Sequence, residues 1–231
     1  MANIWLTRPM TTSETTASHP VGFNLALIAV LLAALGLGLA YGVDALRQRQ
    51  NMPASLTDDT ELLTRTMGGR ELTIPRRWFR FDEQAVDGFV GRIELALPLT
   101  LGPDKTTHLV EVTLLPPSRA RPSASLLDGV YLHRFMPNEL FGPPGLIGKP
   151  LYAADGFAGE TVWYDALSPD PFVTKCSAPV TGEGPDRCLR TVVLAPGIAA
   201  VYAFDASLLA AWREFDAAVK PWLVRIGALS P

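Results

Sequence analysis

The sequence has few of the side chains from which metal centres and nucleophilic active sites are commonly built. Its 231 residues include only two cysteines and three histidines. The histidines, His19, His108 and His133, are far apart in the chain. A metal site needs several such ligands at defined spacings, and no serine lies in a nucleophile-elbow motif. The sequence therefore predicts no metal site and no cofactor, and it contains no recognisable catalytic motif.

The chain also lacks an excess of charge of one sign. It has 20 basic and 23 acidic residues, which give a formal net charge of -3 at pH 7. Domains that bind nucleic acid generally present a strongly basic surface. We therefore expect no nucleic-acid partner.

One long apolar run interrupts this ordinary composition. Residues 21–43 read VGFNLALIAVLLAALGLGLAYGV and include no charged side chain. A helix rises about 1.5 Å per residue, so this run is long enough to cross a bilayer core of about 30 Å. We expect a single transmembrane helix in the inner (cytoplasmic) membrane. Two alternatives stay open: a cleaved signal peptide, with Ala40 and Gly42 as the small residues at the cleavage site, and a buried core helix.

Small residues recur within this run at an interval that favours close packing of helices. Ala34, Gly38 and Gly42 follow one another every four residues. Such spacing lets two helix backbones approach each other in a membrane. It favours helix–helix association, and the alternative is that alanine and glycine are simply frequent in membrane segments.

The two cysteines predict an intrachain disulfide. Cys176 and Cys188 bracket the turn-rich segment SAPVTGEGPDR, and each adjoins a strand-like run. In an antiparallel hairpin such positions face each other with their Cβ atoms within bonding range. The alternative is two free thiols in a cytosolic domain.

The cysteines and the charges beside the apolar run give opposite indications of orientation. Disulfides persist outside the reducing cytosol, which places the C-terminal domain on the extracytoplasmic side. Arg47 and Arg49 follow the run, whereas Arg8 and the amino terminus precede it. The positive-inside rule would therefore hold the side after the run in the cytoplasm. Because this charge bias is small, we give the cysteines more weight and predict an extracytoplasmic domain.

The chain is expected to have four parts: a polar tail (1–20), the transmembrane helix (21–43), a juxtamembrane linker (44–70) and one α+β domain (71–231). Within the linker, Ser55 to Asp58 have the form of a capping box that opens a short helix. Leu56, Leu62, Leu63 and Met67 would then lie on one side of that helix. A solvated linker without a helix is the alternative.

Beyond the linker the pattern is that of antiparallel strands. Residues 92–97 and 107–115 alternate polar and apolar side chains, and a break at Pro98 to Pro103 makes them a hairpin. Residues 116–125 and 136–150 are expected to be loops. Further strands are predicted over 156–167, on both sides of the cysteine pair, and over 198–204. Together these strands predict an antiparallel meander.

The C-terminal segment carries the clearest helical pattern. Apolar side chains recur every three or four residues at Leu208, Trp212, Phe215, Val219, Trp222 and Ile226. Asp205 or Ser207 is expected to cap the helix, and Pro221 is expected to kink it. The predicted fold class is α+β, with this helix packed on one face of the antiparallel sheet.

One cluster suggests a contact surface, because three arginines surround two aromatic residues there. The cluster comprises Arg76, Arg77, Trp78, Phe79 and Arg80. Arginine and tryptophan are common where proteins meet anionic lipid headgroups or other proteins. The alternative is a half-buried strand whose arginines pair with nearby acids.

Two classes of function fit these features. The first is a membrane-anchored envelope protein whose exported domain is an interaction module for another envelope protein or a lipid. The second is an anchored hydrolase with dispersed site residues, such as His133 and an acid of the strand around Glu160. The scarcity of histidine and of motifs favours the first class. A deep polar pocket that holds His133 beside a carboxylate would favour the second.

Overall fold

The computed structural model describes residues 28–39, 61–102, 104–179, 182, 184–195 and 197–230. The chain forms two compact units, Met1–Gln50 and Asn51–Pro231. In the first unit residues 28–39 form a helix, α1, whose side chains are exposed. Among the described residues, no helix is both long and apolar enough to cross a membrane. The other residues of the expected span, 21–27 and 40–43, lie outside the described part, so the transmembrane helix stays a prediction.

The second unit contains a large antiparallel sheet and a C-terminal helix. Its strands and α-helices are β1 (Leu62–Met67), β2 (Arg70–Pro75), β3 (Gly88–Phe89), β4 (Ile93–Leu101), β5 (Thr106–Leu115), α2 (Ser123–Gly129), β6 (Ile147–Pro150), β7 (Glu160–Tyr164), β8 (Val173–Ser177), β9 (Arg187–Ala195), β10 (Ile198–Asp205) and α3 (Trp212–Arg225). Strands β1 to β3 form a small sheet, and the other strands form a seven-stranded sheet in the order β4-β5-β10-β9-β8-β7-β6. Every pair in the larger sheet is antiparallel. The predicted α+β class is confirmed at this level.

The larger sheet extends the predicted meander. Strands β6 to β10 pair in chain order, and β5 brings the β4–β5 hairpin to the free side of β10. The predicted break at Pro98 was wrong, because β4 continues to Leu101 and Pro98 lies opposite Leu109. Proline is tolerated here because β4 is an edge strand with one side free of ladder hydrogen bonds. The turn begins instead at Gly102, whose φ is +79°.

Residues 62–70 correct the predicted linker, because they belong to the folded domain. Leu62, Leu63 and Met67 lie in strand β1 rather than on one side of a helix. Leu63 and Met67 are buried while Leu62 is exposed, which follows the two-residue period of a strand. Pairing with β2 decided this outcome, since helix propensity is readily overridden by tertiary contacts. The expected capping box at Ser55 lies outside the described residues.

The predicted C-terminal helix is present and packs on the sheet. A 3₁₀ turn, Ala206–Ala211, leads into α3, and Phe215, Val219 and Leu223 are buried. They share one core with side chains from one face of the sheet, here called the helix face, such as Leu95, Val112 and Tyr202. Asp205 precedes the turn, but its side chain makes no capping hydrogen bond. Pro221 lies inside α3, which continues to Arg225.

The opposite face of the sheet, here called the open face, is only partly covered. At the β7–β8 end, α2 and the 3₁₀ turn Tyr131–Arg134 lie over a second buried cluster. The cluster comprises Leu127, Tyr131, Leu151, Val162 and Val173. Towards β4 and β5 the side chains of this face stay partly accessible, including Thr113 and Val201. This uncovered half of the face holds the cleft described below.

Candidate functional site: a cleft bounded by arginines

The open face carries a concave site beside α2. The cleft has a volume of about 540 Å³ and is lined by Gly91, Arg92, Thr113, Leu115, Arg119, Ala120, Arg121, Leu126, Thr191 and Val201. Its volume falls within the range of about 300–1,000 Å³ that is usual for small-molecule sites. We call this feature the arginine cleft, after its three arginines.

Strand register builds the floor of the cleft. Val201 on β10 lies opposite Thr113 on β5 and opposite Thr191 on β9. The three side chains therefore form one row across three strands, since directly paired residues point to the same face. The floor thus combines two hydroxyl groups with the methyl groups of valine and of the threonines.

The wall of the cleft is the loop that connects β5 to α2. Pro116 and Pro117 introduce a 3₁₀ turn, Pro117–Arg119, directly after β5. At the start of α2 the Ser123 side chain accepts a hydrogen bond of 2.8 Å from the backbone N–H of Thr191. This bond joins the loop to the sheet across the site. The fixed backbone angles of proline further restrict the positions of Arg119 and Arg121.

The three arginines differ in their partners. Arg92 forms an ion pair with Glu94 on β4. Among the residues that the structure describes, Arg119 and Arg121 form no ion pair or hydrogen bond through their side chains. The guanidinium Nη1 of Arg119 lies 3.4 Å from the point that a Cβ at Gly91 would occupy. Arg119 therefore lies against the opposite rim of the cleft.

Nearby arginines on the open face are neutralised by acids, in contrast to Arg119 and Arg121. Glu111 on β5 accepts from Arg80 at 2.8 Å and from Arg187 at 2.6 Å. Arg187 also lies 3.4 Å from Asp205. Two arginines and two acids thus balance their charges beside the cleft, so its positive charge is local to the cleft wall.

The structure redefines the cluster at residues 76–80. Arg76, Arg77 and Trp78 form a 3₁₀ turn rather than a strand, and Trp78 is 2% exposed. Its ring packs against Trp222 with centroids 4.7 Å apart. The suggestion that Trp78 contacts lipid or a partner was therefore wrong, because its ring is part of the core.

The arginines of that cluster pair with acids, as its alternative interpretation expected, but not with the nearest acids in sequence. Arg76 lies 3.0 Å from Glu61, and Arg80 pairs with Glu111. Arg77 also has an interaction partner. A contact role for these three arginines stays a prediction.

The predicted disulfide is confirmed. Cys176 on β8 lies directly opposite Cys188 on β9, and their sulfur atoms are bonded. Both residues are buried in the main core. The bond joins the two arms of the hairpin on the helix face of the sheet, opposite the cleft.

His133 and Glu160 do not form the site that the hydrolase alternative required. His133 is exposed on a short 3₁₀ turn. Both carboxylate oxygens of Glu160 accept hydrogen bonds from Lys175, at 2.7 and 2.8 Å. Neither residue lines the arginine cleft. Burial and, to a smaller extent, the charge of Glu160 raise the pKa of Tyr131 above its ordinary value.

Two of the three small residues that are predicted to favour helix association lie in helix α1. Ala34 and Gly38 lie one helical turn apart within it, and Gly42 lies outside the described residues. A Cβ at Gly38 would meet no other atom within 4 Å. Association through this helix stays a prediction.

The sequence patterns do not reveal the arginine cleft. Arg119 and Arg121 lie in a stretch that the sequence predicts to be a loop, and Thr113 and Thr191 lie in predicted strands. One signal was present, namely two arginines in the proline-rich stretch PPSRARP without an adjacent acid. It could not show that this loop folds back over β9.

Comparisons with known proteins assign no family to the chain. No model of a known protein family matches it, and no curated protein matches its sequence. Among solved structures it is similar to Smlt3025, an immunity protein of the Stenotrophomonas maltophilia type IV secretion system. The identity is 10% and the TM-score 0.46, over 76% of this chain and 93% of that one. A likeness at this TM-score carries no argument about fold or function.

Proposed function

We propose that this chain is a single-span, membrane-anchored envelope protein whose extracytoplasmic domain binds a partner through the arginine cleft. The observation that carries the export is the buried Cys176–Cys188 disulfide. A reducing cytosol would keep the thiols of Cys176 and Cys188 reduced. The anchor is the charge-free run over residues 21–43. The partner is another envelope protein or a lipid, and Ala34, Gly38 and Gly42 are available for helix–helix association in the membrane.

The cleft supports a binding role because it combines apolar surface with charged hydrogen-bond donors that have no acidic partner among the described residues. Leu115, Leu126 and Val201 offer apolar surface, and Arg119 and Arg121 offer charged donors without an acidic partner among the described residues. Binding sites commonly combine apolar lining with a few convergent polar groups. The charge selects the partner, while the apolar floor contributes through burial.

Export is tested on the full chain in intact membranes. One sample is denatured in detergent with N-ethylmaleimide and without reductant, because both sulfur atoms are buried in the folded domain, and the protein is then analysed by mass spectrometry. We expect Cys176 and Cys188 to escape alkylation, the chain to resist carbonate extraction, and protease added outside the inner membrane to digest the domain. Alkylation of both cysteines together with protection from protease would contradict export. A mature amino terminus near residue 43 would contradict the membrane anchor but not the export of the domain.

Binding through the cleft is tested by site-specific photo-cross-linking. A photoreactive amino acid is placed at Ala120, on the cleft wall, and at Lys220, which is exposed on α3 on the other side of the sheet. We expect a defined cross-linked species, protein or lipid by mass, at residue 120 only. It should be lost when Arg119 and Arg121 are replaced by glutamine. Equal cross-linking at both positions would contradict a role for the cleft.

A further inference from the structure

We infer that the arginine cleft binds a phosphoryl group carried on a small organic moiety. Arg119 and Arg121 would hold the phosphoryl oxygens, and the hydroxyls of Thr113 and Thr191 would assist from the floor. This inference deepens the proposed function, since it rests on the same cleft being a binding site.

Charge favours a phosphoryl group over a carboxylate. The described residues that line the cleft include three arginines and no acid, and Glu94 compensates Arg92. Among the residues that the structure describes, no acid compensates the positive charges of Arg119 and Arg121. A phosphate monoester carries a charge of about -1.5 to -2 at pH 7, whereas a carboxylate carries one negative charge. The ester therefore matches the two guanidinium groups.

The donor set also fits a tetrahedral anion. Each guanidinium can donate two parallel hydrogen bonds to neighbouring oxygens. The hydroxyls of Thr113 and Thr191 have no hydrogen-bond partner among the described residues, although the Thr191 backbone N–H is bonded to Ser123. Side chains from the loop wall and from the strand floor can thus approach one anion from two sides. A planar carboxylate has two oxygens and would leave part of this set unpaired.

Volume and lining indicate an organic part beside the phosphoryl group. A cleft of about 540 Å³ is far larger than one inorganic phosphate, and its remaining surface includes Leu115, Leu126 and Val201. A glycerophosphate would place its phosphoryl group at the arginines and its carbon atoms on this floor. A phosphate monoester occurs both in the headgroup of phosphatidic acid and in soluble phosphate esters, and the experiment separates these two sources.

The test uses the full chain in a non-ionic detergent and isothermal titration calorimetry. The probes are glycerol 3-phosphate, inorganic phosphate and succinate, a dicarboxylate of comparable charge that controls for charge alone. We expect saturable binding in the order glycerol 3-phosphate, inorganic phosphate, succinate. The double variant Arg119→Gln/Arg121→Gln should raise the Kd for glycerol 3-phosphate by about tenfold or more, because charge-assisted bonds are lost. Arg213→Gln, which removes one positive charge on α3, should alter it by less than about twofold.

The two sources of the phosphoryl group are distinguished by competition. Micelles doped with phosphatidic acid, a lipid phosphate monoester, are compared with micelles doped with diacylglycerol, which lacks the phosphoryl group, both in the presence of glycerol 3-phosphate. Displacement by phosphatidic acid alone identifies a lipid headgroup, and displacement by neither identifies a soluble ester. Both results support a phosphoryl site, and displacement by both lipids to the same degree contradicts one.

Two outcomes of the titration itself also overturn the inference. One is the absence of saturable binding by either phosphate probe, and the other is succinate binding as tightly as glycerol 3-phosphate. Circular dichroism of the double variant checks that it is folded, and single variants replace it where it is not. Because the titration uses purified protein, its failure leaves the export and cross-linking tests of the proposed function unaffected.

Discussion

On the helix face of the sheet, Arg190 of β9 donates a hydrogen bond to Asp216 of α3. The Arg190 Nη2 atom lies 2.7 Å from a carboxylate oxygen of Asp216. The Arg190 side chain is 9% exposed and that of Asp216 is 58% exposed. The guanidinium also lies over the ring of Phe172, 4.4 Å from the centroid. This buried cation is held on one side by an aromatic ring and on the other by an acid that reaches solvent. It fixes the helix to the strand that also carries Cys188.

The asymmetry of this pair predicts unequal mutational effects. Asp216→Asn should lower the free energy of unfolding by about 1 kcal/mol, because water can replace the exposed carboxylate. Arg190→Ala should lower it by about 2–4 kcal/mol, since packing on Phe172 is lost as well. Urea denaturation of the full chain in mild detergent measures both values. Arg213→Ala, on the exposed side of α3, is the control and should cost less than about 0.5 kcal/mol. Equal losses for the two partners would contradict a dominant role of Arg190.

Tyr202, on the same face, predicts a loss of stability at high pH. Burial, and secondarily the charge of Asp216, raise the pKa of Tyr202, and the nearby Arg190 partly offsets this shift. The folded state therefore retains the phenol proton at a pH where the unfolded chain loses it. The contribution to stability is complete below the unfolded pKa of about 10 and is lost as pH rises through the higher folded pKa.

The phenol proton is isolated by comparing variants across this pH range. We expect the free energy of unfolding of Tyr202→Phe to fall less steeply between pH 9 and 11 than that of the wild type. Tyr152→Phe, at a tyrosine that is 43% exposed, should keep the wild-type slope. Identical slopes for all three proteins would show that other groups cause the alkaline loss.

The disulfide predicts a stability loss that chemical reduction reproduces. Cys176 and Cys188 close a loop with a sequence separation of 12. Cross-links over loops of this size contribute about 2–4 kcal/mol by restricting the unfolded chain. The double variant Cys176→Ala/Cys188→Ala should lose about this amount in urea denaturation. Reductant should destabilise the wild type by a similar amount and leave the double variant unchanged. A response of the double variant to reductant would show that the effect has another origin.

The close approach of two turns predicts a severe effect at one of two adjacent glycines. Gly68 has a φ of +57°, and a Cβ there would overlap the backbone of Gly197 in the β9–β10 turn. Its neighbour Gly69 has a φ of +78° but no atom within 4 Å of an added Cβ. Gly69→Ala should cost about 1–2 kcal/mol from backbone strain alone.

Gly68→Ala adds a clash with backbone that cannot rotate away, so we expect a loss of about 3 kcal/mol or more. Thermal unfolding of the two variants, measured side by side, separates backbone strain from the clash. Similar melting temperatures would show that the two turns separate at little cost.

Local periodicity explains which parts of this fold were predictable. The alternation in residues 107–115 and the apolar stripe from Leu208 to Ile226 reflect which side of each element faces the core. The cysteine pair was predictable for a related reason, because matching positions in a hairpin face each other. Each of these inferences needs only the period of one element or the pairing of two neighbours.

The sequence by itself determined the α+β class, the β4–β5 hairpin, the disulfide and the C-terminal helix. Only the tertiary structure decided that residues 62–67 form a strand, that Trp78 is buried, and that the Arg119 side chain lies against Gly91 at the opposite rim of the cleft. The physical reason is that these outcomes depend on packing between segments far apart in the chain. Thr113 and Thr191 become neighbours of Val201 only when β10 pairs with both β5 and β9. The periodicity of a single strand cannot predict that these three residues lie side by side.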